Sequence, residues 1–274
     1  MLLPRLITAV IGIPLIILTV YWGGIPFFIL MLGAVFLALR EYYILTAEKY
    51  ASQPVTGMVL GIVLYISIFL SGTSLGPLAE NQGTAALLSI LLIPVFLIEM
   101  LRSEPQKAIE RLGITFFGAF FIAWGLGHLV LIRNLRPEGM WYIYFLFIVI
   151  WTLDTGAYAV GIRFGRHPLA PMVSPRKTIE GAIGGSATGI IVALLCRYIF
   201  LRDVFTPLEA AALGFGISVV GQFSDLAESL LKRDIGVKDS ANLLPGHGGM
   251  LDRFDSFLFT APLFYYYLTI FKKG

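Results

Sequence analysis

Apolar runs about as long as a bilayer is thick recur along almost the whole chain, each closed by glycines, prolines or charges. Crossing the hydrocarbon layer takes about 20 mainly apolar residues as a helix, because a helix satisfies its own backbone hydrogen bonds. On that measure spans fall near 5–22, 25–45, 56–76, 84–101, 112–132, 141–162, 181–201, 208–231 and 254–271. The breaks are Trp22-Gly23-Gly24, Glu48 to Pro54, Gly76-Pro77, Arg102 to Pro105, Arg136-Pro137 and Pro168 to Pro175. A mean hydropathy of +0.84 lies far outside the soluble globular range. The expected fold class is all-α, a polytopic integral membrane helical bundle with about nine transmembrane helices. Residues 1–135 are expected to supply scaffold helices and residues 136–274 the helices that carry chemistry, within a single membrane-embedded unit.

Charge refines this picture. Of the 20 Lys and Arg, Arg133, Arg136, Arg197, Arg202, Lys272 and Lys273 fall on one side of the expected membrane and all the others on the opposite side. The basic-rich side is the cytoplasmic one by the positive-inside rule, as for a multi-pass protein of a cell's inner membrane. A net charge of +3, with no basic run, argues against nucleic acid as a partner. Cys196 is alone, so no internal disulfide forms. The apolar run from the N-terminus to Tyr21 exceeds a typical signal-peptide core, and a retained first helix is expected.

The main exception to this oiliness is the stretch 224–256, on the cytoplasmic side. It holds Asp225, Glu228, Lys232, Arg233, Asp234, Lys238, Asp239, His247, Asp252, Arg253 and Asp255, with Gly246, Gly248 and Gly249. Carboxylates, cations and glycines interleaved in this way suit a metal–phosphate site. Asp225, Glu228, Ser229 and Lys232 share one helix face. Asp225 lies about two turns inside a span, too short to snorkel, whereas Lys232 and Arg233 alone also fit a snorkelling helix end. Asp252 and Asp255 are three apart, and on a first helical turn their oxygens converge on one hard cation. Capping of that helix explains the carboxylates equally, but not the glycines, His247 and Arg253 together. His247 has no neighbouring His or Cys, which makes zinc a poor fit. A second polar stretch, Ser174-Pro175-Arg176-Lys177-Thr178-Ile179-Glu180-Gly181, reads as a basic loop before a helix, suited to an anion or to topology alone. Asp154 shares a face with Tyr158, and Gly156 and Gly161 allow close helix approach; an interhelical hydrogen bond is the alternative. Glu41 and Glu99 lie at span ends and read as interfacial.

Three patterns carry a resemblance. They are Ser229-x-Leu-Lys232-Arg233, then Lys238-Asp239 and Pro245-Gly246-His247-Gly248-Gly249-x-x-Asp252-Arg253-x-Asp255; Asp154-x-x-Ala157-Tyr158-x-x-Gly161-x-x-Phe164-Gly165; and Ser174-Pro175-x-Lys177-Thr178-x-Glu180-Gly181. Together they resemble the phosphatidate cytidylyltransferases, or CDP-diacylglycerol synthases, strongly over the C-terminal half and elsewhere only in hydrophobicity. The resemblance implies a Mg²⁺-dependent membrane enzyme, with a second cation allowed, making CDP-diacylglycerol and pyrophosphate from CTP and phosphatidic acid. In such an enzyme Asp225, Asp252 and Asp255 would be metal ligands. Lys232, Arg233, Lys238 and Arg253 would face the triphosphate, and Ser174, Arg176, Lys177 and Thr178 a phosphate, more naturally the lipid's. Gly246, Gly248 and Gly249 would admit phosphate, Asp239 would be a ligand or ion-pair partner, and His247 reads as a phosphate donor or a structural turn histidine. Oligomeric state stays open, a homodimer being the ordinary outcome at this size. A CTP-dependent lipid kinase and an ion-coupled transporter are the rival readings; confinement of charge to one side and to the second half speaks against the transporter.

Overall fold

The computed structural model describes residues 3–71, 81–102, 105–241 and 248–272. In chain order the elements are α1 (Leu3–Trp22), α2 (Gly24–Tyr50), α3 (Pro54–Ser71), α4 (Asn81–Met100), α5 (Ala108–Asn134) and α6 (Gly139–Phe164). There follow β1 (Pro168–Ala170), β2 (Ser174–Thr178), α7 (Ile179–Phe200), α8 (Pro207–Ile235), α9 (Leu251–Phe254) and α10 (Phe257–Phe271). Among the described residues a helix overlaps each expected span. Among the described residues six are both long and apolar enough to cross a membrane, namely α2, α3, α5, α6, α7 and α8. The backbone divides into two compact units. One is Met1–Leu135 with Asp239–Phe254, the other Arg136–Lys238 with Asp255–Gly274.

In the first unit α5 packs on α2 and α3, and α3 on α4. Gly118 and Gly57 leave room for the rings of Tyr42 and Tyr43. The Tyr43 hydroxyl then reaches across to donate to the Thr115 carbonyl at 2.5 Å. Glu99 is buried, and accepts from Arg111 Nε and Gln53 Nε2, both at 2.7 Å. A carboxylate in such surroundings persists because a cation and a neutral donor both satisfy it. At the far end of α5, Arg133 Nε donates to the Val20 carbonyl at 2.5 Å and closes the last turn of α1.

In the second unit α6 packs on α7, α7 on α8, and α8 on α10. Gly181, Gly185 and Gly189 recur every four residues along α7 and are all buried, a small-residue seam that brings helix backbones close without a hydrophobic drive from water. A Cβ on Gly185 would sit 2.9 Å from both Ala157 Cβ and Leu153 Cδ1 and 3.0 Å from the Leu153 carbonyl oxygen. The helix that approaches Gly156 and Gly161 is α7, through Thr188 and Gly181. At the opposite end of this unit Phe145 stacks on Phe264 with ring centroids 5.7 Å apart. The stretch read as a basic loop is instead an antiparallel hairpin, β1 with β2, pairing Pro168 with Thr178 and Ala170 with Ser174. Pro168 opens its strand and costs no ladder donor there.

The α7 seam sets a stability test. Gly185→Val should lower the thermal midpoint of the detergent-solubilised protein by the equivalent of about 1–3 kcal/mol of overpacking. Gly216→Ala, whose Cβ meets nothing within 4 Å, should leave it unchanged.

Candidate active site

The polar face of α8 is where the second unit gathers its charge. Glu228 is fully buried and pairs with Lys232 Nζ at 2.6 Å, one helical turn on. Asp225 lies a turn earlier and pairs with Lys177 Nζ at the end of β2. Ser229 Oγ donates to Asp225 Oδ1 at 3.4 Å. The chain re-enters this unit at Asp255, whose carbonyl accepts from Ser224 Oγ and whose Oδ1 accepts from the Ser256 N–H at 2.5 Å. Phe259 N donates back to Ser224 Oγ at 3.3 Å, so Ser224 pins the start of α10 to α8. The carboxylates of Asp225, Glu228 and Asp154 all stand near enough to Asp255 to repel its charge. Four carboxylates thus share one neighbourhood, with Lys177 and Lys232 as paired cations.

The hairpin delivers Lys177 to this place. Thr178 caps α7, its Oγ1 accepting from the Gly181 N–H at 3.1 Å. Glu180 accepts from the backbone N–H groups of Arg166 and His167, at 3.0 and 3.2 Å, and ties the hairpin's base to the α7 start. Arg233 Nε donates to the Val173 carbonyl at 3.1 Å and its other arm to the Val237 carbonyl at 2.8 Å, so it staples the hairpin turn to the end of α8. Gly236 ends α8 with φ +88°, a left-handed cap suited to glycine. Ser174 is half-buried, and Arg176 and Lys238 are exposed. An apolar groove of about 570 Å³ between α7 and α8, lined by Leu169, Ile179, Ile183, Phe215, Val219 and Phe223 among others, begins two residues past Lys177.

The rest of the charged motif belongs to the first unit. Asp239 and Arg253 are exposed. Asp252 Oδ2 accepts from the Gly249 N–H at 2.8 Å and the Ser240 N–H at 3.0 Å. Gly248 has φ +77°, which explains a glycine there. Gly246 and His247 lie outside the described residues. Asp225 and Asp255 therefore come together on α8 and at the head of α10, while Asp252 is held by the turn before α9. That helix stops at Phe254, so Asp252 and Asp255 do not share one helical turn.

Two carboxylates stand out beyond those marked from sequence as site residues. Glu228 had a signal, its i, i+4 spacing from Lys232. Glu41 had none, since its partners are a serine and two backbone amides about 200 residues along the chain. It is buried within the first unit.

As to a metal, the oxygen-only donors around Asp255 match hard divalent cations and exclude soft ones. Among the described residues no three His, Cys, Asp or Glu side chains are spaced to enclose one ion. The fit therefore rests on donor chemistry and on the excess of negative charge.

The model of the cytidylyltransferase family matches residues 3–271. The phosphatidate cytidylyltransferase of Bacillus subtilis (strain 168) is 35% identical, over 98% of each chain. Those of Staphylococcus saprophyticus (35%) and Staphylococcus aureus strain COL (34%) align over 94% of this chain and 96% of their own. Matched from residue 3 to residue 271, this chain belongs to the cytidylyltransferase family.

Proposed function

We infer that this chain is a phosphatidate cytidylyltransferase, which transfers the CMP moiety of CTP to phosphatidic acid and releases CDP-diacylglycerol and pyrophosphate. The carrying observation is likeness to phosphatidate cytidylyltransferases over nearly the full length of both chains. The carboxylate and lysine cluster of α8, β2 and Asp255 supports it.

In the reaction a phosphatidate oxygen forms a bond to the α-phosphorus of CTP, and the bond from that phosphorus to the β-phosphate bridge breaks. The chain has little covalent work to do; it aligns two polyanions and offsets their charge. A phosphate monoester is already largely ionised near neutral pH, so no separate general base is needed. Lys177 is placed to grip the lipid phosphate, with Ser174, Arg176 and Thr178 beside it on the same strand. A phosphate oxygen offers Lys177 the charge that Asp225 supplies in the structure. The apolar groove beginning at Ile179 takes an acyl chain, which keeps the tail in lipid while the head group reaches the lysine. Lys232 and Lys238 face the triphosphate, and the motif marks Arg253, Gly248 and Gly249 for phosphate as well. Arg233 acts chiefly by holding the hairpin. Asp225 and Asp255 are the carboxylates for Mg²⁺, with Asp252 the third of the set from its motif. When bound, that ion neutralises phosphate charge and polarises the α-phosphorus. The site faces the cytoplasm, as the basic residues indicate, where CTP is present.

Label placement decides between this reading and phosphoryl transfer. With phosphatidate and Mg²⁺, α-labelled CTP should yield labelled lipid and γ-labelled CTP labelled pyrophosphate. Label from the γ-position in lipid would establish a lipid kinase instead.

Asp255 separates function from fold. Asp255→Asn should reduce turnover by at least about 100-fold, the scale of losing a main electrostatic element. It should also raise the thermal midpoint of the metal-free protein, because it removes a carboxylate that three others repel. An active variant, or one with a lower midpoint, would contradict this assignment. Lys107→Ala, on the exposed start of α5, should leave turnover within about twofold, as surface changes usually do.

A further inference from the structure

Glu41 sits within α2 and is 2% exposed. Its Oε1 accepts from the Met250 N–H at 2.7 Å. Its Oε2 accepts from the Leu251 N–H at 2.9 Å and from Ser240 Oγ at 2.8 Å. The same Ser240 Oγ lies 3.1 Å from Asp252 Oδ2. A hydroxyl has one proton to give, so Ser240 stands between two carboxylates and serves one at a time. Donation to the nearer, Glu41, leaves Asp252 on the N–H groups of Gly249 and Ser240. Gly249 is required by this packing, since a Cβ there would occupy the place of Ser240 Oγ and Glu41 Oε2. The Glu41 carboxylate thus clamps three points: Ser240, the turn at Met250, and Leu251, the first residue of α9.

We propose that Glu41 is a positioning residue, fixing the 249–251 backbone and Ser240 and, through them, the carboxylate of Asp252. The proposal rests on the reading of Asp252 as part of the phosphate and cation machinery. A neutral amide is a poor substitute, because one of its two heads is a donor and would face a backbone N–H. Outer carboxylates that orient a working group typically matter by about 10–100-fold in activity.

The test compares purified Glu41→Gln, Glu41→Asp, Ser240→Ala and Asp252→Asn with the parent protein. Glu41→Gln should lower kcat about 10–100-fold while KM for phosphatidate stays within about twofold. Glu41→Asp, which keeps the charge, should recover part of that loss. Adding Ser240→Ala to Glu41→Gln should cost little more, since both act on one network. In metal-free protein, trypsin should cut after Arg253 faster in Glu41→Gln than in the parent, with the global thermal midpoint unchanged. If Asp252→Asn is inactive while Glu41→Gln turns over normally, the positioning role is wrong and the functional reading stands. If Asp252→Asn is itself fully active, Asp252 leaves the site and the role of Glu41 goes with it. Failure of both Glu41→Gln and Glu41→Asp to fold would make Glu41 a folding element and overturn the proposal.

Discussion

The second unit depends on how closely α6 and α7 can approach. Around helices solvated by lipid, burying apolar side chains supplies little net drive, so contact area and backbone proximity decide association. The glycines of α7 provide that proximity, and at Gly185 even a methyl group would press on Leu153 and Ala157. The hairpin and the start of α7 are fixed by this contact, and with them Lys177 reaches Asp225. The charged cluster is thus held together by residues with no charge.

That cluster is under tension. Asp255 lies near three other carboxylates, and like charges so placed oppose one another's ionisation. Ion pairs temper it: Lys232 on the buried Glu228, and Lys177 on Asp225. The two differ in character. Lys232 and Glu228 sit on one helix a turn apart, and removing either partner would strand a buried charge. Lys177 and Asp225 come from different elements, and each remains partly exposed. The second pair is the one suited to exchange with ligands.

Hydropathy made the helices legible, because the apolar runs and their glycine or proline breaks obey one length rule along the chain. Spacing in the motifs marked Asp225, Lys177 and Asp255 as candidates, and the fold brings Lys177 to Asp225 and Asp225 near Asp255. Partnerships with backbone atoms were not legible. The bonds of Arg233 to the Val173 and Val237 carbonyls have no signal in its motif spacing. The hairpin was hidden for a related reason: Ser174-Pro175-Arg176-Lys177 has little strand character, and the pairing comes from its tertiary setting. Glu41 and Glu99 look like helix-end charges in a string of letters, and only folding brings their donors to them.

The length of α10 has a consequence for the surrounding lipid. Its 15 residues extend about 22 Å, against roughly 30 Å for a typical hydrocarbon layer. Where such a helix crosses a bilayer, hydrophobic mismatch is met by thinning the membrane beside it. Lipid head groups next to α10 would then sit deeper than elsewhere, at the helix that begins just after Asp255. A lipid phosphate would travel less far to leave its own layer.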